Sequence, residues 1–426
     1  MQLPASLSAL SNDELQAQLK ELQQEYQQHC DAALALDLTR GKPSAQQLDL
    51  SDSLDGILAG NYRAEDGTDC RNYGGLYGLP ELRQLGAQLL GSSAENTIAG
   101  GSSSLTLMYF TLLFAQRFGL AGAPAWQTRQ QHRIICPVPG YDRHFAICER
   151  LGIEMVTVAM HSDGPDMDAV ERLIAEDDRI VGMWNVPKYS NPTGITYSDR
   201  VVERIAKLGE IAQPGFLVLW DNAYAVHDIA AETDPLAAIV PLAEAAGTQV
   251  AQFASTSKIT HAGAGVSFMA GSKALIESLV DQLGIAMIGP DKVNQLRHVA
   301  LLKEGGLEKI MAGHKALLAP RFAAVEASLS AHFNGSELLS WTRPNGGYFV
   351  SVDTLPGTAS RVVELAAAAG VKLTPAGATF PYNRDPENRN IRLAPSFPSL
   401  GDVEKTMQVF CCCVALASVE KQLANG

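Results

Sequence analysis

The middle of the chain alternates between two kinds of apolar pattern. Between about residues 100 and 270, short continuous apolar runs are separated by segments whose apolar residues recur at helical spacing. The runs are RIICPV, MVTVAM, IVGMWNV, FLVLWD, QVAQFA and VSFMAG, and two of the intervening segments are MDAVERLIAED and DRVVERIAKLGEIA. Continuous apolar strands separated by amphipathic helices are typical of a mostly parallel sheet covered on both faces. This region therefore predicts an α/β fold.

The two ends of the chain follow other patterns. The segment from Ser11 to Glu14 has the spacing of a capping box, and Leu15, Leu19 and Leu22 follow it at helical spacing. We expect this helix to be an arm or lid outside the main sheet. Beyond about residue 290, longer helical segments precede GGYFVSVDT, VVELAAAAG, VKLTPAG and IRLAPS, which predict an α+β region with its own small sheet.

These patterns predict two domains. A chain of 426 residues is long enough for both. The large domain is predicted over residues 48–290. The segments 1–47 and 291–426 are predicted to form a smaller domain that carries the N-terminal helical arm.

Composition narrows the class of protein. The formal net charge of −13 argues against a nucleic-acid partner, because phosphates attract an excess of Lys and Arg. The first residues, MQLPASLSALSNDEL, lack the cationic start and apolar run of a signal peptide. No stretch approaches the ~18 apolar residues of a membrane span. We therefore expect a cytoplasmic enzyme with small-molecule substrates and no membrane partner.

The seven cysteines do not suggest a disulfide framework or a metal site. Cys30, Cys70, Cys136 and Cys148 are scattered, and no CxxC pair is present. The consecutive residues 411–413, within VFCCCVALA, are expected to act as small apolar residues of a packed helix.

Four polar loops lie where a parallel sheet binds its ligands, at the carboxyl ends of its strands. PKYSNPTG follows IVGMWNV, NAY follows FLVLWD and STSK follows QVAQFA, while AGGSSSL precedes a helix near residue 100. Each loop alone has an ordinary explanation: NPTG is a good turn, Asp221 can cap a helix, and GGSSS is a common flexible loop. Their occurrence together, in order, indicates one cleft. Lys258 lies in a glycine-rich bend at its edge.

These loops resemble those of the pyridoxal-phosphate-dependent aminotransferases of fold type I, class I/II. The resemblance extends from about Asp37 to Ser396, and within the class it looks closest to a small bacterial group of aspartate aminotransferases and regulator-like aminotransferase domains. The matching segments are Asn191–Gly194 (NPTG), Asp221–Tyr224 (DNAY), Ser255–Lys258 (STSK), Tyr73–Arg83 (YGGLYGLPELR), Pro139–Tyr141 (PGY) and Arg392–Ser396 (RLAPS).

The resemblance implies an architecture and an assembly. The large domain would hold a mostly parallel seven-stranded sheet between helices, beside the smaller α+β domain. The protein would be a homodimer with the active site at the subunit interface, where Tyr73 reaches across to the partner.

The resemblance also implies the cofactor, pyridoxal 5'-phosphate, and three catalytic residues. Lys258 would form a Schiff base with the cofactor aldehyde and then act as the base at the substrate Cα. Asp221 would keep the pyridine nitrogen protonated, through a charge-assisted hydrogen bond worth roughly 1.5–3 kcal/mol. Tyr224, with Asn191, would hydrogen-bond the phenolic oxygen of the ring.

Further residues would hold the ring and the phosphate. Tyr141 would stack on the ring face, and His144 is a weaker candidate for the same place. A serine cluster at a helix N-terminus suits a phosphate, because it offers amides, hydroxyls and the helix dipole. The expected phosphate-binding residues are Ser102, Ser103, Ser104, Ser255, Ser257 and Tyr73.

The substrate carboxylate has its own candidates. Arg392 would bind the α-carboxylate bidentately, which orients the bonds at Cα. Asn191 and the backbone of Gly41 would lie beside the same carboxylate.

The chain departs from the family pattern at the phosphate. Many relatives have an arginine seven or eight positions after the lysine, where this chain has Gly265 and Val266. Either the serine cluster suffices or another cation, such as Arg297, takes that place.

A second departure concerns the distal carboxylate of an acidic substrate. Better-known aspartate enzymes have an arginine in the segment written here as LGIAMIGPD, which contains no cation. An aromatic or neutral substrate is the simpler interpretation of that segment, whereas the resemblance favours acidic substrates. The candidates for reading a distal carboxylate are Arg40, Lys42, Lys292 and Arg297.

The expected reaction is transamination between an L-amino acid, aspartate or glutamate, and a 2-oxo acid by a ping-pong mechanism. The alternatives are a β-lyase, an aminotransferase for aromatic or neutral amino acids, and a non-catalytic regulator module that binds the cofactor. About 40 residues precede the resemblance, which we consider too few for the DNA-binding domain of such a regulator.

Overall fold

The computed structural model describes residues 6–129 and 131–425. The strands are β1 (Leu36–Asp37), β2 (Thr97–Ala99), β3 (Arg133–Val138), β4 (Glu154–His161), β5 (Gly164–Pro165), β6 (Ile180–Asn185), β7 (Leu217–Asp221), β8 (Gln249–Ser255), β9 (Ser267–Ala270), β10 (Leu339–Trp341), β11 (Val350–Thr354), β12 (Val371–Lys372) and β13 (Asn390–Leu393). The helices are α1 (Asn12–Asp31), α2 (Ala45–Asp49), α3 (Pro80–Leu90), α4 (Ser104–Arg117), α5 (Asp142–Leu151), α6 (Met167–Glu176), α7 (Asp199–Ala206), α8 (Ile239–Ala246), α9 (Lys273–Ala286), α10 (Lys292–Leu302), α11 (Gly306–Phe333), α12 (Ala359–Ala368) and α13 (Leu400–Asn425).

The central sheet has eight strands in the order β2-β9-β8-β7-β6-β3-β4-β5. The neighbours from β4 through β3, β6 and β7 to β8 are parallel, whereas β9 is antiparallel to both β8 and β2. The six apolar runs of the sequence are β3, β4, β6, β7, β8 and β9, so the predicted mostly parallel sheet is confirmed. The two-residue strand β5 pairs antiparallel with the end of β4 and extends the expected seven strands to eight.

Both faces of this sheet are covered. Every residue of β6 and β7 is buried. Successive strand side chains point to opposite faces. Accordingly, Ile134 and Cys136 pack with residues of α4, α5 and α9, while Ile135 packs with residues of α6, α7 and α8. The carboxyl ends of β6, β7 and β8 are left at one edge of the sheet.

The C-terminal part forms the expected small sheet. Strands β10, β11 and β13 are antiparallel neighbours, and β1 pairs parallel with β12. Helices α1, α11 and α12 pack against α13 beside them. One apolar cluster combines Phe349 of this part with Val186 and Tyr224 of the middle segment. The domain bounds 1–47, 48–290 and 291–426 stay a prediction.

Helix α1 begins at the capping box seen in the sequence. The Ser11 side chain accepts from the Glu14 amide, and the Glu14 carboxylate accepts from the Ser11 amide at 2.8 Å. The helix lies outside the central sheet, as expected. Leu15 and Leu22 are buried in the core that α13 shares, so α1 is docked on the C-terminal part of the molecule.

Helix α13 is apolar because it lies in the core. It is the one helix in the described ranges that is long and apolar enough to cross a membrane, so the expectation that no stretch approaches such a length was wrong, and 67% of its apolar window is buried inside the protein. Cys411, Cys412 and Cys413 are buried within it, as the sequence predicted. Burial raises the pKa of Cys412 to about 12.

Candidate active site

The loops after β6, β7 and β8 meet the start of α4 in one cleft. This convergence follows from the parallel order of the three strands, whose carboxyl ends share an edge. The expected catalytic residues Lys258, Asp221 and Tyr224 all line the cleft. The lining residues are Ser104, Leu105, Met108, Tyr141, Val186, Asn191, Asp221, Ala223, Tyr224, Ser255 and Lys258.

Lys258 lies in a tight turn directly after β8. The amides of Ile259 and Thr260 both donate to the Thr256 carbonyl at 2.8 Å, which closes the turn. The Lys258 ammonium lies 4.9 Å from the centroid of the Tyr224 ring. Burial lowers the pKa of Lys258, and the nearby Asp221 opposes that shift. An amine with a lowered pKa is a better nucleophile at neutral pH.

Asp221 ends β7 with one oxygen bound and the other unpartnered. Its Oδ2 is 3.0 Å from His144 Nε2, and that ring stacks on Trp184 with centroids 3.9 Å apart. Asp221 Oδ1 is buried without a hydrogen-bond partner among the described residues. Because an unpaired buried carboxylate oxygen is costly, this atom indicates a missing donor in the cleft. His144 therefore contacts Asp221 and Trp184, and it meets the Tyr141 ring edge-on at 4.9 Å.

The serine cluster surrounds the N-terminus of α4. Ser103 is the N-cap residue, and Ser104 is the first residue of the helix and lines the cleft. The Ser255 hydroxyl donates to Ser257 Oγ at 3.1 Å, and Ser257 Oγ lies 3.5 Å from the Ser102 carbonyl. The structure thus brings all five expected serines to the same end of the cleft, where the helix dipole favours an anion.

The positions seven and eight residues after Lys258 are Gly265 and Val266, so neither holds a cation. Val266 is 1% exposed and donates its amide to Thr256 Oγ1 at 2.9 Å. A Cβ at Gly265 would lie 3.0 Å from the same oxygen. Arg297 is exposed on α10, with no ion pair in the part of the chain that the structure describes. The serine cluster at the start of α4 is therefore the feature of the described cleft whose chemistry suits an anion.

Arg392 approaches the cleft from β13. It is 6% exposed, and its guanidinium lies 4.9 Å from the Phe349 ring centroid. Nη1 donates to Asn191 Oδ1 at 3.1 Å and to Asp142 Oδ1 at 3.0 Å. Nε is buried and has no partner within the described ranges. The guanidinium edge formed by Nε and Nη2 is therefore left without an acceptor among the described residues.

Gly41 packs against the Phe349 ring, which in turn contacts Arg392. A Cβ at Gly41 would collide with the Phe349 ring. A side chain at position 41 would therefore require the Phe349 ring, on which Arg392 packs, to shift. The lack of a side chain at position 41 therefore has a steric reason, while the approach of the Gly41 backbone to a substrate carboxylate stays a prediction.

Tyr73 lies outside the cleft of its own chain. It is 84% exposed. Lys292, which is 4% exposed, donates to the carbonyls on either side of it, Asn72 at 2.8 Å and Gly74 at 2.6 Å. These bonds hold the Tyr73 loop and occupy the Lys292 ammonium, which was a candidate for the distal carboxylate. Of the other candidates, Arg40 is exposed and Lys42 lies 3.9 Å from the Phe397 ring centroid.

Several site residues escaped the sequence analysis. Asp142 and Phe349 flank Arg392, and Trp184 supports His144. Asp142 directly follows the expected stacking residue, which is the one sequence signal that points to it. The apolar lining residues have no signal of their own, because they look like any strand-end or helix residue.

Comparisons with known proteins agree with this geometry. The family model for aspartate amino-transferase matches residues 10–425. An aspartate aminotransferase of Corynebacterium glutamicum is 48% identical over 392 residues, covering 91% of this chain and 90% of that protein.

Solved structures are similar over nearly the whole chain. The crystal structure of an aspartate transaminase from Corynebacterium glutamicum has a TM-score of 0.93 and 45% identity, covering 97% of this chain and 98% of that one. The α-aminoadipate aminotransferase of Thermus thermophilus, complexed with N-(5'-phosphopyridoxyl)-L-leucine, has a TM-score of 0.74 at 21% identity and shares the fold, covering 95% of each chain. The chain therefore belongs to the aspartate amino-transferase family, and it is an aminotransferase of fold type I.

Proposed function

We propose that this aminotransferase uses pyridoxal 5'-phosphate, held by Lys258, to move an amino group from aspartate or glutamate to a 2-oxo acid by a ping-pong mechanism. The observation that carries the proposal is the unpartnered Asp221 Oδ1, which is buried in the same cleft as an amine of lowered pKa. A protonated pyridine nitrogen is the donor that this oxygen lacks.

The residues of the cleft fit the rest of the cofactor. Tyr141 offers an aromatic face, and Tyr224 and Asn191 offer polar groups for the phenolic oxygen. The serine cluster at the start of α4 offers hydroxyls and the helix dipole to the phosphate. When bound, pyridoxal phosphate supplies the electron sink for the substrate Cα.

The chain's own groups carry out the proton transfer. Burial keeps a larger fraction of Lys258 uncharged at neutral pH, so its Nζ can take the proton from the substrate Cα and return it. His144, fixed by its stacking on Trp184, holds the Asp221 carboxylate in place. The catalytic roles thus fall to Lys258, Asp221 and Tyr224.

The proposed substrate site is the free edge of Arg392. A bidentate pair with the α-carboxylate uses the Nε and Nη2 groups that the protein leaves available. Gly41 lies next to the Phe349 ring on which the guanidinium packs, and Arg40 and Lys42 are the cations on either side of Gly41. We favour these two residues for binding the distal carboxylate of an acidic substrate. The name of the relative that is 48% identical, aspartate aminotransferase, favours such a substrate.

A half-reaction tests this proposal. Cofactor-loaded protein is mixed with aspartate, glutamate, an aromatic or a neutral amino acid, without any oxo acid. We expect about one equivalent of 2-oxo acid per subunit from aspartate or glutamate, and turnover once the oxo acid of the other donor is added, 2-oxoglutarate for aspartate or oxaloacetate for glutamate. Continuous formation of pyruvate and ammonia without an acceptor would instead assign a β-lyase, and a preference for the other donors would overturn the acidic substrate.

We also propose a cytoplasmic homodimer. Tyr73, Ile285 and Ile288 are 84%, 90% and 63% exposed, which is unusual for large apolar side chains in one region. A Cβ at Gly289 would collide with Gly74, so the segment after Ile288 lies against the Tyr73 loop. Light scattering after size exclusion should give twice the mass of the 45.5 kDa chain. A monomer at micromolar concentration would overturn this assembly.

A further inference from the structure

Side chains from outside the cleft hold the main chain of the lysine turn. The Lys258 carbonyl lies 3.1 Å from His227 Nε2 and accepts from the Tyr348 hydroxyl at 3.3 Å. The next carbonyl, that of Ile259, lies 2.9 Å from His314 Nε2. Three side chains from separate elements therefore converge on two consecutive carbonyls, starting at the proposed catalytic lysine.

Gln47 connects two of these side chains. It is fully buried, and its Nε2 lies 3.0 Å from the Tyr348 hydroxyl and 2.9 Å from His314 Nδ1. Its Oε1 accepts from the Ser44 amide at 3.0 Å and from Ser44 Oγ at 3.2 Å. A main-chain N–H can only donate, so Ser44 determines which end of the amide is the oxygen. The amide nitrogen must then face Tyr348 and His314.

This orientation decides where two protons lie. The Gln47 amide nitrogen can only donate, so His314 Nδ1 accepts and the imidazole carries its proton on Nε2. That nitrogen faces the Ile259 carbonyl. Burial lowers the pKa of His314, which keeps the ring in this neutral form. The second amide proton of Gln47 is donated to the Tyr348 oxygen. The Tyr348 hydroxyl proton is therefore directed to the Lys258 carbonyl.

The other end of Gln47 belongs to the proposed substrate site. Ser44 lies three positions after Gly41 in the segment TRGKPS. This segment is held in turn by Ser396, whose hydroxyl donates to the Lys42 carbonyl at 3.2 Å. The Gln47 side chain therefore spans from the carboxylate-binding segment to the turn that carries the amine.

We propose that Gln47 is a positioning residue that keeps the Lys258 main chain in register with the Gly41 segment, through Tyr348 and His314. The inference rests on the proposed function, because it matters only if the amine must meet a substrate atom. A displacement of about 1 Å at such a site costs on the order of 100-fold in rate. Loss of the Gln47 side chain should loosen the lysine turn only in part, so the rate should fall by less than this.

The test compares Gln47→Met with Gln116→Met. Methionine keeps the approximate volume of glutamine and removes both of its polar ends. Gln116 makes the same kind of contacts away from the cleft, 2.9 Å to His132 Nε2 and 2.8 Å to the Leu151 carbonyl. Three readouts are compared: amide hydrogen exchange of residues 257–262 in cofactor-free protein, the pH titration of the visible band in loaded protein, and the separate values of kcat and KM.

We expect all three readouts to change in Gln47→Met alone. Exchange in the turn should speed up about ten-fold or more, because its carbonyls lose their directed donors. The titration midpoint should rise by about half a unit, because a looser turn admits water and favours the charged form. The kcat should fall about ten-fold with KM within about three-fold of wild type, since the loss concerns the chemical step. Both variants should lose thermal stability.

Several results would overturn the inference. Gln47→Met could match Gln116→Met in all three readouts, which would show an ordinary buried hydrogen bond. If Gln47→Met does not fold, Tyr348→Phe decides, because it removes one hydroxyl and should speed exchange in the turn in the same direction. Unchanged exchange in Tyr348→Phe would then reject the network. A wild-type protein without a visible band would reject the proposed cofactor, while the exchange comparison would still decide on Gln47.

Discussion

We predict that Asp142 lowers the affinity of Arg392 for the substrate carboxylate. Its carboxylate pairs with Arg392 Nη1 at 3.0 Å, next to the edge proposed to bind the substrate carboxylate. Two carboxylates on adjacent edges of one guanidinium lie roughly 5 Å apart. They repel each other, so Asp142 weakens the binding that Arg392 provides. Asp142→Asn removes the charge and keeps an oxygen that can accept from Nη1.

The magnitude follows from the geometry and the exposure. The Asp142 side chain is 37% exposed and Arg392 is 7% exposed, so the dielectric constant of water gives the lower bound of the repulsion. At ~5 Å, the repulsion is then about 1 kcal/mol. This corresponds to about a five-fold change in affinity.

Steady-state kinetics with the amino donor provides the assay. Asp142→Asn should lower the donor KM about five-fold, with kcat changed by less than about two-fold, and the difference should shrink at high salt. Asp142→Ala is the matched variant that also removes the acceptor, so it should lose part of this gain through a less ordered Arg392. An unchanged or raised KM in Asp142→Asn would refute the reasoning, because the substrate carboxylate would then not share this guanidinium.

Three further predictions concern other parts of the molecule. Gly41→Ala should raise the donor KM and destabilise the protein by about 1–3 kcal/mol in urea unfolding, because the methyl group collides with Phe349. Burial holds the pKa of His227 at about 3, below the ordinary 6.5. Between these two pH values the unfolded chain binds more protons than the folded chain, so the free energy of unfolding decreases as the pH falls through that window. His227→Leu should therefore flatten the acid side of a profile of unfolding free energy against pH, and an unchanged slope would contradict the assignment. Lys292→Met should release the Tyr73 loop and raise the dimer dissociation constant about ten-fold or more in sedimentation, whereas an unaltered constant would separate the loop from the interface.

The longer strands could be predicted because their burial shows in the sequence. All residues of β6 and β7 are buried, and IVGMWN and LVLWD are correspondingly apolar up to their last residues, Asn185 and Asp221. Strands β1, β5 and β12 have two residues each, which is too short for any period to appear. Their pairing depends on where the chain returns in space. For the same reason, the docking of α1 on α13 could not be inferred from its spacing.

The cleft was predictable to the extent that it depends on chain order. Asp221 ends β7 and Lys258 lies just after the neighbouring parallel strand β8, so their meeting follows from the topology. The partners of Arg392 are different, because Asp142 is 250 positions away and Phe349 lies on another element. Gln47 likewise reaches His314 across 267 positions. Such contacts are set by tertiary packing, and single residues of these types have many ordinary roles.

The proposed covalent link between Lys258 and the cofactor can be trapped chemically. Protein loaded with pyridoxal phosphate is reduced with borohydride, digested, and mapped by mass spectrometry. We expect about one phosphopyridoxyl group per chain, on Lys258. A label on another lysine, such as the buried Lys188 that pairs with Asp228, or a label spread over surface lysines, would contradict it.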